Sequence, residues 1–326
     1  MKLIFFGTQD WSAHYLEALL EDGFFEIVAV VTQPDKPVGR KHLLSTSPVK
    51  EVAVKNQLTI LQPTTWKDPI FLNTIQSLAP EIGVVIAYGK LIPQSVIDTV
   101  PLGLINVHPS LLPRWRGPSP VVAAIAAGDQ ESGMTIMKID AEMDHGPILS
   151  QKKIEMDPDE TTMSFMQKVK ETGASFFVAT LKAYVSGSLQ PREQNHQEAT
   201  YCSLLTKDHG HLDWRKCAET IEREIRAYQP WPGTWTNVHI HGKNVRLKIL
   251  QARVDENTHH HQPGTLFAFQ NQLFIACTDG TLRIEVIQPE GKAPMPASAF
   301  LAGYSTLLGS SLDLPMMSEN QEEKTA

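Results

Sequence analysis

The strongest constraint on the fold is a regular alternation of short apolar runs with amphipathic stretches from the N-terminus to about residue 185. The run at 2–6 stops at Gly7, an amphipathic stretch follows at 10–20, and a second apolar run occupies 26–32. A strand, a tight turn, a helix and a second strand within roughly 30 residues are typical of a βαβ unit. We therefore predict an α/β fold with a doubly wound (Rossmann-like), mostly parallel sheet. Its further strands are expected at 58–61, 82–87, 104–107, 134–138 and 148–154.

The second half of the chain follows a different pattern. Residues 186–200 are polar and contain Gly and Pro, which is typical of a linker. Beyond them we expect a charged helix at 214–227 and then about five short strands, which suggests a small OB-like β-barrel. The sequence thus predicts four regions. They are a catalytic domain at 1–189, a linker at 190–206, an OB-like domain at 207–312 and a disordered polar tail at 313–326.

Composition argues against several classes of protein. No window approaches the ~20 consecutive apolar residues of a membrane helix, and the N-terminus lacks the features of a signal or transit peptide. The three cysteines form no C-x-x-C pair, which disfavours a disulfide framework or a cysteine zinc site. The net charge of −7 argues against a dedicated nucleic-acid binder, yet residues 201–253 hold nine Lys or Arg against five Asp or Glu. Clustered positive charge of this kind can meet a phosphate backbone.

Two polar residues lie where a doubly wound sheet places its ligands. Asn106 and His108 are at the carboxyl end of the strand predicted at 104–107. Alternation puts both side chains on the same side of an extended chain, and Pro109 disfavours helical geometry at His108. An amide beside an imidazole can stabilise the oxyanion of an acyl transfer. Taken alone, however, the pair also fits a polar loop with a structural histidine.

A second polar segment, 140–146 (DAEMDHG), follows the strand predicted at 134–138. Its carboxylates are therefore also expected at the carboxyl end of a strand, near the imidazole. A carboxylate there could orient the ring and accept a proton. An ordinary turn is the alternative, because Asp, Gly and Pro favour turns. Spacing alone does not distinguish Asp140, Glu142 and Asp144.

Together these residues resemble a known signature. Asn106-x-His108, the segment SLLPRWRG at 110–117 and Asp144-x-Gly146 are similar to the motifs of the 10-formyltetrahydrofolate-dependent formyltransferases. The resemblance covers roughly residues 1–310 and implies that Asn106, His108 and Asp144 are catalytic. It also implies a folate co-substrate and no metal. The residues implied to line the folate site are Ser110, Leu111, Leu112 and Pro113.

Other segments resemble the members of this family that formylate methionine on initiator tRNA in translation initiation. They are 7–13 (GTQDWSA), the basic segment 32–50, which in those members contacts the tRNA acceptor stem, and 212–235. The resemblance therefore implies initiator methionyl-tRNA as the acceptor. Two departures are visible: Gln9 replaces a usual Pro, and His145 replaces a usual Thr. The first concerns a turn, and the second lies beside Asp144, which the resemblance implies to be catalytic.

Several cations are candidates for contact with tRNA phosphates. Trp231 and Trp235 are expected to anchor the corner before the barrel rather than to stack on bases. A well-solvated surface is the alternative for each cation, since isolated loop and strand charges are usually hydrated. The candidates are Arg40, Lys41, Lys207, Arg223, Lys243, Arg246 and Lys248.

Other interpretations of the chemistry stay open. Formyl transfer to a sugar-nucleotide amine or to water would use the same three side chains, and an RNA-binding module with an inactive α/β domain is a further alternative. Gly7-Thr8 fits neither a dinucleotide motif nor a P-loop. The histidines at 239, 241 and 259–261 lack neighbouring ligands and are expected to be exposed rather than metal-bound. We expect a monomer in the bacterial cytoplasm.

Overall fold

The computed structural model describes residues 1–38, 43–240, 243–255 and 260–315. It divides into two compact units. One comprises residues 1–120, 131–156 and 165–202, and the other residues 121–130, 157–164 and 203–326. Each unit has its own buried apolar cluster. Among the helices of the described residues, none is long and apolar enough to span a bilayer.

Up to residue 185 the chain alternates between strands and helices, as the sequence predicts. The strands are β1 (Lys2–Gly7), β2 (Glu26–Val31), the hairpin strands β3 (Lys36–Val38) and β4 (Leu43–Ser45), β5 (Ile60–Leu61), β6 (Ile82–Ile86), β7 (Leu104–His108), β8 (Glu131–Lys138) and β9 (Ile148–Glu155). The helices are α1 (Asp10–Asp22), α2 (Pro48–Lys55), α3 (Pro69–Leu78), α4 (Gln94–Ile97), α5 (Pro120–Ala127) and α6 (Thr162–Val185).

Local sequence explains where these helices begin and end. The side chain of Ser47 accepts a hydrogen bond from the Lys50 amide, and that of Asp68 accepts one from the Ile70 amide. Each cap is followed by proline, which suits the first helical position because it lacks an amide hydrogen. Helix α1 ends at Gly23, whose left-handed conformation (φ 70°) is the usual C-terminal stop.

The main sheet has the strand order β5-β2-β1-β6-β7-β8-β9. The strands from β5 to β7 are parallel, and the order reverses between β1 and β6, as in a doubly wound fold. Strand β8 is antiparallel to β7, and β9 is antiparallel to β8. The predicted α/β fold with a mostly parallel sheet is therefore confirmed, with two antiparallel strands at one edge.

Helices cover both faces of this sheet, and the packing of β7 shows which face its polar residues occupy. Leu3 and Phe5 pack with α1, α2 and α6, whereas Ile4 and Phe6 pack with α3 and α4. On β7, Ile105 and Val107 belong to the first cluster and Leu104 to the second. Alternation therefore places Asn106 and His108 on the face that α3 and α4 cover farther along the sheet.

The C-terminal unit contains a six-stranded antiparallel sheet among its described residues. Strands β10 to β14 follow the order β10-β11-β14-β13-β12, and β15 pairs with β14. The buried side chains of this unit include Trp214, Ile249 and Phe300. Its elements are α7 (Ala218–Ala227), β10 (Trp235–Ile240), β11 (Lys243–Asp255), β12 (Leu266–Phe269), β13 (Gln272–Ala276), β14 (Thr281–Pro289), β15 (Met295–Pro296) and α8 (Ala297–Gly303).

Two boundaries in this unit differ from the expected ones. Helix α7 begins at Ala218 rather than at 214, because the Asp213 carboxylate accepts the Arg215 amide in a turn and Trp214 is buried. Asp313, predicted to begin a disordered tail, accepts hydrogen bonds from Thr236 and from the Asn237 side chain. Residues 316–326 of that tail lie outside the described residues.

Candidate active site

His108 ends strand β7 and is 4% exposed. Its Nε2 lies 2.9 Å from the carbonyl oxygen of Trp115, and its Nδ1 lies 3.5 Å from Oδ1 of Asp144. A carbonyl oxygen can only accept a hydrogen bond, so Nε2 carries a proton. The other ring nitrogen, Nδ1, faces the carboxylate. At 3.5 Å from Oδ1 of Asp144 it makes no short hydrogen bond.

Asp144 reaches His108 by a route that differs from the expected one. Because β8 runs antiparallel to β7, Lys138 at its carboxyl end pairs with Ile105, whereas Thr135 pairs with His108. The loop after β8 follows the carboxyl end of its own strand, as expected, but it starts beside the beginning of β7 and not beside His108. Asp144 nevertheless lies beside His108, in the left-handed conformation (φ 53°).

Gly117 fixes the other oxygen of this carboxylate. Its amide donates to Oδ2 of Asp144 over 2.8 Å. Its φ is +119°, and a Cβ there would come within 2.2 Å of the carbonyl oxygen of Cys202. A side chain is therefore excluded on two grounds, backbone conformation and space. The geometry selects Asp144 among the three acidic residues of its loop as the partner of His108.

The thiol of Cys202 also lies close to Gly117. Burial raises the pKa of the Cys202 thiol to about 11; a hydrogen bond with Ser119 opposes this shift and the charge of Asp144 adds to it. The thiol therefore stays protonated at neutral pH, and a thiolate nucleophile is not available at this position.

Asn106 lies two residues before His108, on the same face of β7. Its side chain is partly exposed, and within the described part of the chain its amide has no hydrogen-bond partner. A polar group in this state can donate to a bound molecule. The structure thus joins His108 with Asp144 directly and places Asn106 on their strand face without a contact to either.

The segment 110–113 alternates between buried and partly exposed side chains. Ser110 and Leu112 are 0% and 3% exposed, whereas Leu111 and Pro113 are partly exposed. Thr135, which the sequence interpretation did not single out, fixes the segment. Its hydroxyl donates to the Ser110 carbonyl over 2.7 Å and accepts from the Leu112 amide over 3.0 Å. Only Leu111 and Pro113 therefore offer side-chain surface to a ligand.

Arg116 and Gln194 are two further residues that the sequence interpretation did not assign to the site. Arg116 belongs to the segment 110–117 quoted for the family resemblance and is 2% exposed. Gln194 belongs to the predicted linker and is 5% exposed. A buried glutamine in a polar, Gly- and Pro-containing stretch gives no signal in a single sequence, because only the fold supplies its partners.

The candidate tRNA contacts fall into three groups, of which the third is Arg223 alone and is described below. Arg40 and Lys41 lie outside the described residues, and so does the side chain of Lys243. Lys207, Arg246 and Lys248 are exposed. On β11, Leu247 and Ile249 are buried while Arg246 and Lys248 face outward, as the alternation predicts. We call Lys207, Arg246 and Lys248, with the adjoining Trp235, the cationic face.

Trp235 contacts Arg246 of this face and the neighbouring His211. The guanidinium of Arg246 lies 3.9 Å from the ring centroid, and the His211 ring stacks on the same indole at 4.1 Å. The indole is partly exposed and lies outside the buried cluster of this unit, so these two contacts, rather than burial in the core, hold it. Trp231 differs from expectation because it is 52% exposed and is not a core residue.

Arg223 has partners within the protein. Its Nε donates to the carbonyl of Ala126 over 3.2 Å and one Nη donates to Thr220 over 3.1 Å. The carbonyl of Ala126 belongs to the last turn of α5, where a cation compensates the unpaired carbonyls and the helix dipole. The structure thus gives Arg223 a role in stabilising the protein, which competes with a phosphate contact.

Comparison with known proteins identifies the family of this chain. The family described as formyl transferase matches residues 1–181, and its C-terminal domain matches residues 204–305. Methionyl-tRNA formyltransferase from Roseiflexus castenholzii is 42% identical over 304 residues, which cover 93% of this chain and 96% of that protein. The enzyme of the same name from Idiomarina loihiensis is 38% identical over 316 residues, covering 96% and 100% of the two chains.

Among solved structures, the chain is similar to WlaRD, described as a sugar 3N-formyl transferase in the presence of dTDP and 5-N-formyl-THF. The TM-score is 0.65 at 20% identity, and the match covers 90% of this chain and 99% of that one. A likeness at this identity shows the fold alone. The matches to both family domains and to nearly full-length relatives show that the chain belongs to the methionyl-tRNA formyltransferases of the formyl transferase family.

Proposed function

We propose that this chain transfers the formyl group of 10-formyltetrahydrofolate to the α-amino group of initiator methionyl-tRNA, and that Asn106, His108 and Asp144 carry out the transfer. The observation that carries the catalytic assignment is the approach of Asp144 to His108 on the strand face that also bears Asn106. An amide, an imidazole and a carboxylate are the groups that an acyl transfer to an amine requires.

The nucleophile needs little activation. An α-amino group has a pKa near ~8, and esterification of the carboxyl group lowers it further, so much of the amine is free base at neutral pH. The enzyme must therefore position this amine on the formyl carbon and stabilise the oxyanion that forms. When bound, 10-formyltetrahydrofolate supplies the formyl carbon and the nitrogen that leaves.

Each residue has one task in this scheme. Asn106 donates from its free amide to the formyl oxygen as negative charge develops there. His108 donates from Nδ1 to the same oxygen, while the carbonyl of Trp115 accepts from Nε2. Asp144 accepts the proton that the amine loses as the new C–N bond forms. It returns that proton toward the folate nitrogen as the old C–N bond breaks, so protons balance without a metal.

The folate co-substrate fits the segment that follows β7. Leu111 and Pro113 offer partly exposed apolar surface, while Ser110 and Leu112 hold the backbone from within the protein. We assign direct ligand contact to Leu111 and Pro113, and a supporting role to Ser110 and Leu112. The unpartnered amide of Asn106 supports a ligand at the adjoining strand end.

For the tRNA, we propose phosphate contacts by Lys207, Arg246 and Lys248 of the cationic face, together with Arg40, Lys41 and Lys243. The exposure of the first three supports this role. We further propose that the C-terminal sheet is an OB-like barrel and that this barrel and the catalytic domain are the two domains predicted from the sequence. The protein is proposed to act as a monomer in a bacterial cytoplasm.

The activity is tested with three acceptors and one donor. Purified protein is incubated with 10-formyltetrahydrofolate and either initiator methionyl-tRNA, a sugar-nucleotide amine or water alone. Formylmethionyl-tRNA, the formylated sugar and free formate are then measured. We expect efficient formylation of the tRNA only. Predominant formate release or sugar formylation would refute the proposed acceptor, and binding of tRNA without any turnover would identify an inactive RNA-binding module.

A further inference from the structure

The stretch 192–202, within the predicted linker, runs along the loops that build the active site. Its backbone pairs with Ile148 at Arg192, with hydrogen bonds of 2.8 and 2.9 Å. It then pairs with Arg116, whose amide donates to Thr200 and whose carbonyl accepts from Cys202, each over 2.8 Å. These two pairings hold the stretch against Ile148, which follows the Asp144 loop, and against Arg116, which precedes Gly117.

Gln194 lies between these two pairings in the sequence, and its side chain contacts both the Asp144 loop and Arg116. Its Nε2 donates to the carbonyl oxygens of Asp144 and Gly146 over 2.9 and 2.8 Å. Its Oε1 accepts from Nε and Nη2 of Arg116 over 3.2 and 2.8 Å. Both hydrogens and the oxygen of the amide are thus used, and only an amide side chain can donate to two carbonyls and accept from a guanidinium at once.

Arg116 is in turn held in one position. Its Nη2 lies 2.8 Å from Nδ1 of His196. A guanidinium has no acceptor, so this histidine nitrogen accepts the hydrogen bond. The His196 ring stacks on His145 at 4.0 Å, and His145 lies 2.7 Å from Asp140. This arrangement links both ends of the Asp144 loop to one buried guanidinium.

The loop needs such support because of its own conformation. Asp144 has a left-handed backbone (φ 53°), which side-chain-bearing residues seldom adopt without tertiary constraints. Gly146 is confined by the Lys138 carbonyl oxygen, which would lie 2.1 Å from a Cβ. Gln194 binds the carbonyl of each of these residues, so its amide holds the turn from which the Asp144 carboxylate points at His108.

We propose that Gln194 and Arg116 are positioning residues of formyl transfer: acting through the backbone of Asp144 and Gly146, they keep the Asp144 carboxylate at His108. The inference rests on the proposed function. It predicts that the two residues govern the chemical step and contribute little to the binding of either substrate. A small displacement of a catalytic group is enough to slow the reaction about 100-fold.

The first test is Gln194→Glu, which keeps the acceptor for Arg116 but removes both donors to the carbonyls. We expect kcat to fall by roughly 10- to 100-fold, the range seen when support of a reacting group is lost. The KM for methionyl-tRNA and for 10-formyltetrahydrofolate should change by less than about threefold. Gln197→Glu, an exposed glutamine three positions later, is the matched control and should behave as the parent protein.

A second test separates positioning from general support of the fold. If Gln194 acts only through Asp144, then Gln194→Ala should have no further effect on kcat in a protein that already carries Asp144→Asn. Multiplicative losses in the double variant would overturn the proposal, and so would a normal kcat in Gln194→Glu. If Gln194 variants do not fold, Arg116→Lys and Arg116→Ala replace them. The lysine, which keeps a charged donor, should then retain at least several-fold more kcat.

The two levels of inference fail in different ways. A parent protein that does not formylate methionyl-tRNA contradicts the proposed function itself. A parent protein with full activity, combined with unchanged kcat in the Gln194 and Arg116 variants, contradicts only the positioning role.

Discussion

In the N-terminal unit Asp144 is held by several partners, whereas Lys207, Arg246 and Lys248 of the cationic face are exposed. Asp144 is fixed through both its carboxylate and its backbone carbonyl. Lys248 lies opposite Trp235 in the β10–β11 ladder and is exposed. We therefore predict that substitutions lower kcat around Asp144 and raise the KM for tRNA on the cationic face.

The largest effect is expected at the carboxylate. Asp144→Asn keeps an oxygen for the Gly117 amide but cannot accept a proton, so kcat should fall at least ~100-fold. Steady-state formylation of methionyl-tRNA measures it. Glu142→Gln, an exposed residue of the same loop, is the control and should leave kcat unchanged. Near-normal turnover of Asp144→Asn would remove this residue from the mechanism.

The close packing of the catalytic face is tested by Gly117→Ala. The new Cβ would clash with the Cys202 carbonyl, and the alanine backbone would have to keep a positive φ. The free energy of unfolding should therefore fall by about 2 kcal/mol or more, and kcat should fall as well. Gly187→Ala is the matched control because Gly187 also has a positive φ (+76°) but no neighbour within 4 Å. Urea unfolding that shows equal losses for both would disprove the steric explanation.

Charge removal on the cationic face should produce smaller, salt-dependent effects. We expect Arg246→Gln and Lys248→Gln each to raise the KM for tRNA several-fold with little change in kcat. Each should lower the slope of log affinity against log salt by about 1. Binding titrations from low to high KCl measure this slope. Lys153→Gln, whose charge is paired with Glu131 at 2.9 Å, is the control.

Arg223 sharpens the distinction between the two kinds of cation. Because its guanidinium binds the Ala126 carbonyl and Thr220, Arg223→Ala should cost about 1 kcal/mol of stability. The salt dependence of tRNA binding should stay the same. A reduced salt slope at unchanged stability would instead make Arg223 a phosphate ligand.

The smallest effect concerns Asp313 and appears as a pH dependence. Burial alone would raise the pKa of this carboxyl. Hydrogen bonds from Asn237, His211 and Thr236 outweigh burial and hold the pKa of Asp313 below its ordinary value of 3.8. Its stabilisation is therefore present above about pH 4 and is lost as the pH falls through the lowered pKa. The stability difference between the parent protein and Asp313→Asn should shrink in acid; a constant difference would contradict this assignment.

Much of the fold could be predicted because its signals are local. The apolar runs of β1, β2, β6 and β7 are found where alternation with amphipathic helices predicts them. Caps such as Ser47-Pro48 are explicit in the sequence. The direction of a strand could not be predicted in this way, because an apolar run has the same composition whether its strand is parallel or antiparallel to its neighbour. The antiparallel direction of β8 was therefore not predictable, and with it the path by which Asp144 reaches His108.

The same division applies to the site. The sequence by itself determined the chemistry: an amide, an imidazole and a carboxylate in motifs that resemble a formyl-transfer signature, because side-chain reactivity and motif spacing are properties of the chain. Only the tertiary structure decided which carboxylate faces His108, which of the cations have internal partners, and that Gln194 binds the Asp144 loop. These contacts join residues far apart in sequence, and their geometry exists only once the strands and loops have packed.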